Sequence, residues 1–395
     1  MKIAGIIAEY NPLHRGHLLP AEAARAAGAT HTVAVMSGNF VQRGEPALCP
    51  WPYRVAAALQ SGIDLVVQLP LPYAAATAEH FAGGAVATLD ALGCVELLVF
   101  GSETGEIAPL ERAASLLDSP AFSAVLAAQP EDCTFAAARQ QAVAALGDEQ
   151  TARLLSSPNN ILGIEYLRAL HRLGSDIRPL TLRRCGALHD KAPVGDSVSA
   201  GWLRQQFRAG NDITDYLPKA MAEQLLLAEK DGAIPSPALW ERPLMAHLRT
   251  MSESELSVLP DIREGLEHRL YRAIRTAATP EEVLTLTKSK RYTHARLRRI
   301  LLAAALGIPA GLSVAPPPYL RVLGMTPRGA GILAIAKKRA KLPMDASPAA
   351  LEKTGEAAAR FARLEAHATD LYRTVTPALA PCGTEYTQPL IKVGF

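Results

Sequence analysis

Over the first hundred residues, short apolar runs alternate with stretches whose apolar positions recur near every 3.6 residues, the pattern of strands alternating with helices. Residues 3–7, 32–36, 65–69 and 95–100 read as strands, and 18–27, 53–61 and 81–92 as the helices between them. This alternation predicts an α/β fold, a Rossmann-like doubly wound parallel sheet. In that architecture ligands sit beyond the carboxyl ends of the strands. The loops expected there are 9–17, 37–46, 70–78 and 101–106, all rich in Gly, Pro or polar residues.

Residues 107–155 carry a helical pattern, which Ser157-Pro158-Asn159-Asn160 interrupts before a further helix over 161–173. Residues 176–184 read as a fifth strand, 186–195 as a loop, and 199–208 as a helix closing the first domain near Gly210. Beyond it, helical patterns separated by proline-containing breaks dominate. The expected division is therefore an α/β domain over 1–210 and a mainly helical one over 211–395.

Charge changes this picture. The formal net charge is only +3 in 395 residues. Residues 1–174 nevertheless carry about six more acids than bases, and the remainder about nine more bases than acids. From Leu286 to Leu342 there is no Asp or Glu, whereas twelve Lys and Arg fall there, from Lys288 to Lys341. Such a stretch expects a polyanion. The start of the chain lacks the pattern of a signal peptide, and the most apolar segment, 300–315, is too short for a bilayer and contains Pro309. A cytoplasmic location with no membrane contact is expected. The cysteines, Cys49, Cys94, Cys133, Cys185 and Cys382, are scattered and never form C-x-x-C, so reduced and mostly buried thiols are expected.

The chemistry starts at Asn11-Pro12-Leu13-His14-Arg15-Gly16-His17, directly after the first strand. Two imidazoles flanking a glycine at a helix start can converge, with free backbone N–H groups, on one anion. In adenylyl transfer, donors of this kind stabilise the charge that builds on the α-phosphate oxygens. A chance H-x-x-H pair or half a zinc site are the competing readings, and no third zinc ligand lies nearby in sequence. No metal-ligand cluster stands out elsewhere. The Lys288-Ser289-Lys290-Arg291-Tyr292 run, followed by Arg296, Arg298 and Arg299, pairs phosphate-binding cations with Tyr292 as a stacking platform, against the alternative of a solvated charged helix face.

Residues 7–17, Met36-Ser37-Gly38-Asn39-Phe40-Val41-Gln42-Arg43-Gly44-Glu45-Pro46, Phe100-Gly101-Ser102-Glu103 and Ser157-Pro158-Asn159-Asn160-Ile161-Leu162-Gly163 together resemble the tRNA(Met) cytidine acetate ligase family, of the HIGH-type nucleotidyltransferase superfamily. The resemblance extends to Lys288–Tyr292 and Tyr319–Gly324. It implies an ATP-dependent ligase that converts acetate to acetyl-adenylate and transfers the acetyl group to N4 of the wobble cytidine of elongator tRNA(Met). It further implies ATP binding by Ile7, Ala8, Glu9, Tyr10, Asn11, Pro12, Leu13, His14, Arg15, Gly16, His17, Leu18, Leu19 and Pro20, with His14 and His17 as the catalytic pair on the phosphates. Gly101, Asn160 and Arg184 would complete the ATP site, with Arg183 as an alternative to Arg184.

Arg43, on a loop at the ligand edge, would suit acetate or an RNA phosphate, and Arg204 a phosphate. Lys288, Lys290, Arg291 and Arg298 would hold tRNA. Mg²⁺ is expected with the ATP. The superfamily's second phosphate motif, hydroxyl-x-x-Arg, is altered, because Gly201 stands where its hydroxyl residue belongs, three before Arg204. Glu103 could cap a helix or approach the reacting centre. Two other functions compete: a small-molecule adenylyltransferase, which would not need the basic second half, and a non-catalytic nucleotide-sensing tRNA-binding protein, to which Gly201 points.

Overall fold

The computed structural model describes residues 1–129, 134–184, 198–263 and 265–395. Cys133, Cys185 and the loop expected over 186–195 lie outside these. Ten strands are described: β1 Ile3–Ala8, β2 His31–Ser37, β3 Phe40–Val41, β4 Glu45–Pro46, β5 Leu65–Leu69, β6 Leu97–Ser102, β7 Arg178–Arg183, β8 Leu320–Met325, β9 Met344–Asp345 and β10 Ile391–Lys392. The main sheet runs β10-β8-β5-β2-β1-β6-β7, with β9 beside β8, and β3 and β4 form a separate hairpin.

All pairings in the main sheet are parallel except β5 with β8. Chain order runs outward from β1 to β2 and β5, then returns to β6 and β7 on its other side, so the sheet is an α/β, doubly wound one with its switch point between β1 and β6.

Helices cover both faces, which explains why β2 and β5 are mostly apolar on both sides, Gln68 of β5 being an exception. One face buries Val33, Val35, Leu65 and Val67 against helices Ala78–Ala91, Ile107–Leu117 and Pro158–Leu173. The other buries Ile6, Ala34, Met36 and Val66 against helices Trp51–Gln60 and Lys219–Lys230. A third cluster, from Leu244 to Ala304, is made by helices and the connections between them, without a strand. Cys49 and Cys94 are free and buried, and Cys382 is free and exposed. Among the described residues, no helix is long and apolar enough to cross a membrane.

Two expectations change. Ser157-Pro158-Asn159-Asn160 separates two helices as expected, but Pro158 to Asn160 already belong to the second: Ser157 is its N-cap, Pro158 opens the first turn, and the helix runs to Leu173. Proline suits that position because its missing N–H would have no helical partner there. The half beyond residue 210 is mainly helical, yet β8, β9 and β10 come from it and extend the main sheet. β8 was missed because it follows the Pro316-Pro317-Pro318 break inside a stretch where helical periodicity prevails.

Candidate active site

All four expected loops converge at the carboxyl ends of the strands around a cavity of about 470 Å³, lined among others by Glu9, His14, His17, Arg43, Ala78, Gly101, Arg184 and Arg204. Its position at the β1/β6 switch point follows from the strand order. Residues Arg15–His17 form a single 3₁₀ turn with His14 as its cap.

Inside that turn, the amide of Gly16 donates to Nδ1 of His14 (3.1 Å), and the amide of His14 donates to Nδ1 of His17 (3.2 Å). The rings lie 3.8 Å apart between centroids. Free backbone N–H groups were expected to face an anion here; those of His14 and Gly16 instead hold the imidazoles. With Nδ1 accepting in each ring, the neutral form carries its proton on Nε2. Burial, and then the charge of Arg184, pushes His14 down to about 4. Burial, then His14 and Arg184, holds His17 well below the ordinary histidine range. At neutral pH the pair therefore offers two N–H donors and no base.

The loops on either side are braced by buried polar residues. Arg54, fully buried, donates through Nε to the carbonyl of Cys49 (3.0 Å), through Nη1 to Glu9 (2.6 Å) and Ser37 (3.3 Å), and through Nη2 to Gly38. One guanidinium thus ties the carboxyl ends of β1 and β2 together. Its role was not legible, since Arg54 sits inside an apolar helix with no motif around it.

Asn160 carries a similar task on the other side. Its Oδ1 accepts from the amides of Glu103 (3.0 Å) and Thr104 (3.1 Å). Glu103 reciprocates, accepting from the amides of Asn159 (3.1 Å) and Asn160 (2.6 Å). Glu103 is not the N-cap of a helix; from outside it satisfies two first-turn amides of helix Pro158–Leu173, whose N-cap is Ser157. Asn160 braces the loop after β6, while Asn159 lines the cavity.

Of the paired arginines, both exposed, Arg184 lines the cavity and Arg183, the last residue of β7, does not. Gly101 has a packing reason: a Cβ there would fall 2.9 Å from Cγ of Arg184. Arg204 lies buried between two motif loops, donating to the carbonyl of Asn11 (2.8 Å) and pairing with Glu45 (3.1 Å). The helix bearing it, Ala200–Arg208, is capped by Ser199, whose hydroxyl accepts from the amide of Trp202 (3.1 Å). Ser199, Ala200 and Gly201 all line the cavity, so a hydroxyl stands at this helix start two residues before Gly201.

The β3–β4 hairpin carries Arg43 to the cavity and packs on helix His294–Leu306. Gly44, at φ 77°, makes this approach: a Cβ would lie 2.6 Å from the backbone of Arg298. That helix supplies Ala295 and Arg299 to the wall. Lys288, Lys290 and Arg298 are exposed and Arg291 partly so. Tyr292, expected as a stacking platform, is only 7% exposed; it is core of the helical cluster, with the guanidinium of Arg296 over its ring at 5.1 Å. Its apolar ring fills a position of helical packing that the charged neighbours hide in sequence.

The acid-free stretch is not acid-free in space. Arg298 meets Glu281 (3.4 Å), Arg299 meets Asp261 (3.4 Å), Arg328 meets Asp64 (3.0 Å), Lys341 meets Asp90 (2.7 Å), and Arg321 pairs with buried Glu385. Helix Pro327–Arg339 lies at the amino end of the sheet, where Thr326 donates to the carbonyl of Asp64 (2.9 Å) and Lys341 to that of Ala91 (2.8 Å). Both acceptors precede strands, so the cations of this helix sit at the end opposite the cavity. Among the described residues, no group of three or more His, Cys, Asp or Glu is placed to hold a metal.

A family profile described as HIGH nucleotidyl transferase matches residues 1–385. The tRNA(Met) cytidine acetate ligase of Caldanaerobacter subterraneus subsp. tengcongensis is 38% identical, with 100% of both chains covered. The chain belongs to this ligase family. A further member, from Syntrophotalea carbinolica, is 41% identical over 87% of this chain and 84% of its own. The crystal structure of apo Thermotoga maritima TmcAL superposes with a TM-score of 0.95 at 30% identity, and the form bound with alpha-thio ATP with 0.93, each covering 100% of both chains. The chain thus matches a nucleotidyl transferase family, and its switch-point cavity is lined by His14 and His17.

Proposed function

We propose that this chain is an ATP-dependent tRNA(Met) cytidine acetate ligase, which makes acetyl-adenylate and pyrophosphate from acetate and ATP and acetylates N4 of the wobble cytidine of elongator tRNA(Met). The observation that carries the reading is the pair of neutral, Nε2-protonated imidazoles in a switch-point cavity, within a chain alignable end to end with ligases of that name. Residues 7–20, Gly101 and Arg184 bind ATP, with Asn160 and Glu103 fixing the loop that Gly101 starts. His14 and His17 donate to the phosphate oxygens as charge builds on them. Arg43 and Arg204, on the β2 side, take the acetate carboxylate or a phosphate.

Residues 1–210 act as the ATP-binding unit, and 211–395 hold the tRNA through Lys288, Lys290, Arg291 and Arg298. Mg²⁺ enters on the phosphates of ATP, as it does where a protein offers few ligands of its own. Labelled acetate, ATP and bulk tRNA given to the purified protein are expected to put label on cytidine of tRNA(Met) alone. Label that enters no RNA, together with pyrophosphate exchange that acetate does not stimulate, would exclude the reading.

A further inference from the structure

Acylation of a cytidine amine leaves a proton to place. The N4 lone pair is delocalised into the ring, so N4 attacks as a neutral amine and becomes acidic as the new bond forms. His14 and His17 are poor acceptors, because Nδ1 of each is occupied by an amide and Nε2 already carries the proton. Another group must take it.

We propose that Glu9 is the general base of the acyl-transfer step, taking the N4 proton on the carboxylate oxygen that its backbone partner leaves open. The proposal rests on the acetate-ligase reading above. Glu9 follows β1 directly and lines the cavity. Its Oε1 accepts from the amide of Gln42 (2.8 Å), which fixes the carboxylate against the loop after β2. No hydrogen-bond donor among the described residues meets its other oxygen, and the residue as a whole is half-buried.

Topology places Glu9 between two halves of the cleft. Gly101 and Arg184, at the ends of β6 and β7, stand on one side. Arg43 from the hairpin, with Ala295 and Arg299 from the helix that also bears exposed Arg298, stands on the other. A nucleotide on the first side and an RNA base entering from the opposite one would meet beside Glu9. The charged and titratable groups around it are Arg204, Arg54, Arg43 and Tyr166. Burial raises its carboxyl above the ordinary carboxylate range, while the Gln42 amide and the three arginines oppose the rise.

In the step itself, N4 bonds to the acetyl carbon, the bond from that carbon to the phosphate oxygen breaks, and its electron pair leaves on AMP. One N4 proton passes to Glu9, which later returns it to water.

The test uses the full-length protein with Glu9→Gln, which keeps the acceptor for Gln42 and removes the basicity, and with Glu9→Asp. Single-turnover acetyl transfer to tRNA is measured beside acetate-dependent ATP/pyrophosphate exchange. Because Glu9 also lies in the ATP-binding stretch, Glu9→Gln is expected to slow exchange as well, but to slow transfer by at least about tenfold more than exchange. The unaltered protein's transfer rate should rise with pH to a plateau, the Glu9→Gln profile should be flat, and Glu9→Asp should recover part of the rate. Transfer by Glu9→Gln within about threefold of the unaltered protein, or an equal loss in transfer and exchange, overturns the assignment. Failure of the unaltered protein to label tRNA would instead overturn the ligase reading, and the base with it.

Discussion

In the cleft, Arg54 and Arg204 are buried and spend themselves on the backbone carbonyls of neighbouring loops, with Glu45 as the carboxylate partner of Arg204. Along 286–342 the cations lie mostly at the surface, and many meet acids brought from 64, 90, 261, 281 and 385. The cleft uses charge to hold a shape, so its effect does not depend on any net excess. The basic stretch carries twelve cations and no acid along the sequence, but folding neutralises part of it and sends the helix with Lys337 and Lys338 to the far end of the sheet. What remains near the cleft is a short patch from Lys288 to Arg298.

The contrast can be broken most forcefully at His17. Replacing it with Ala removes one fixed donor, and acetate-dependent exchange should fall by about 10²–10³-fold while tRNA affinity is kept. Equal losses in both would mean that cleft and patch are not separable.

His14 gives the next effect. Its folded value lies near 4 against 6.5 when unfolded. Between those values the unfolded chain binds a proton that the folded one refuses, so stability present above pH 6.5 is lost as pH falls towards 4. The slope is about 1.4 kcal/mol per pH unit from this residue. Melting temperatures of the nucleotide-free protein across that range should show a flatter dependence for His14→Asn.

Smaller effects separate the two basic regions. Lys288→Ala with Lys290→Ala should reduce the salt dependence of tRNA binding by roughly 0.7–0.9 per lysine, whereas Lys337→Ala with Lys338→Ala should leave it unchanged. If the latter pair has the larger effect, tRNA lies on the opposite end of the sheet. Smallest of all, Arg298→Ala should change stability by less than about 0.5 kcal/mol in urea titration, since its pair with Glu281 is solvent-exposed.

Much of the cleft was legible because its parts are contiguous or periodic. Alternating strands and helices set the order β1, β2, β5, β6, β7, and a parallel order of that kind dictates where loops gather. His14 and His17 stand three residues apart, so their meeting needs only one turn of chain. The brace Arg54 was invisible, since its acceptors are carbonyls spread from Glu9 to Cys49 and carbonyls have no sequence signal. Tyr292 was misjudged because its neighbours are basic, although its ring belongs to the helical core.

By itself the sequence determined the α/β order, the position of the cleft and part of its lining, such as Glu9, His14, His17, Gly101 and Arg184, since these follow from hydrophobic period and short-range spacing; Asn11, Leu13 and Asn160 are not among the lining residues. Only the tertiary structure decided which histidine nitrogens carry protons, which cations are already paired, and that β8 and β10 join the first half's sheet. Those features depend on partners tens or hundreds of residues away, and a hydrogen bond or an ion pair exists only where folding brings both groups within about 3–4 Å.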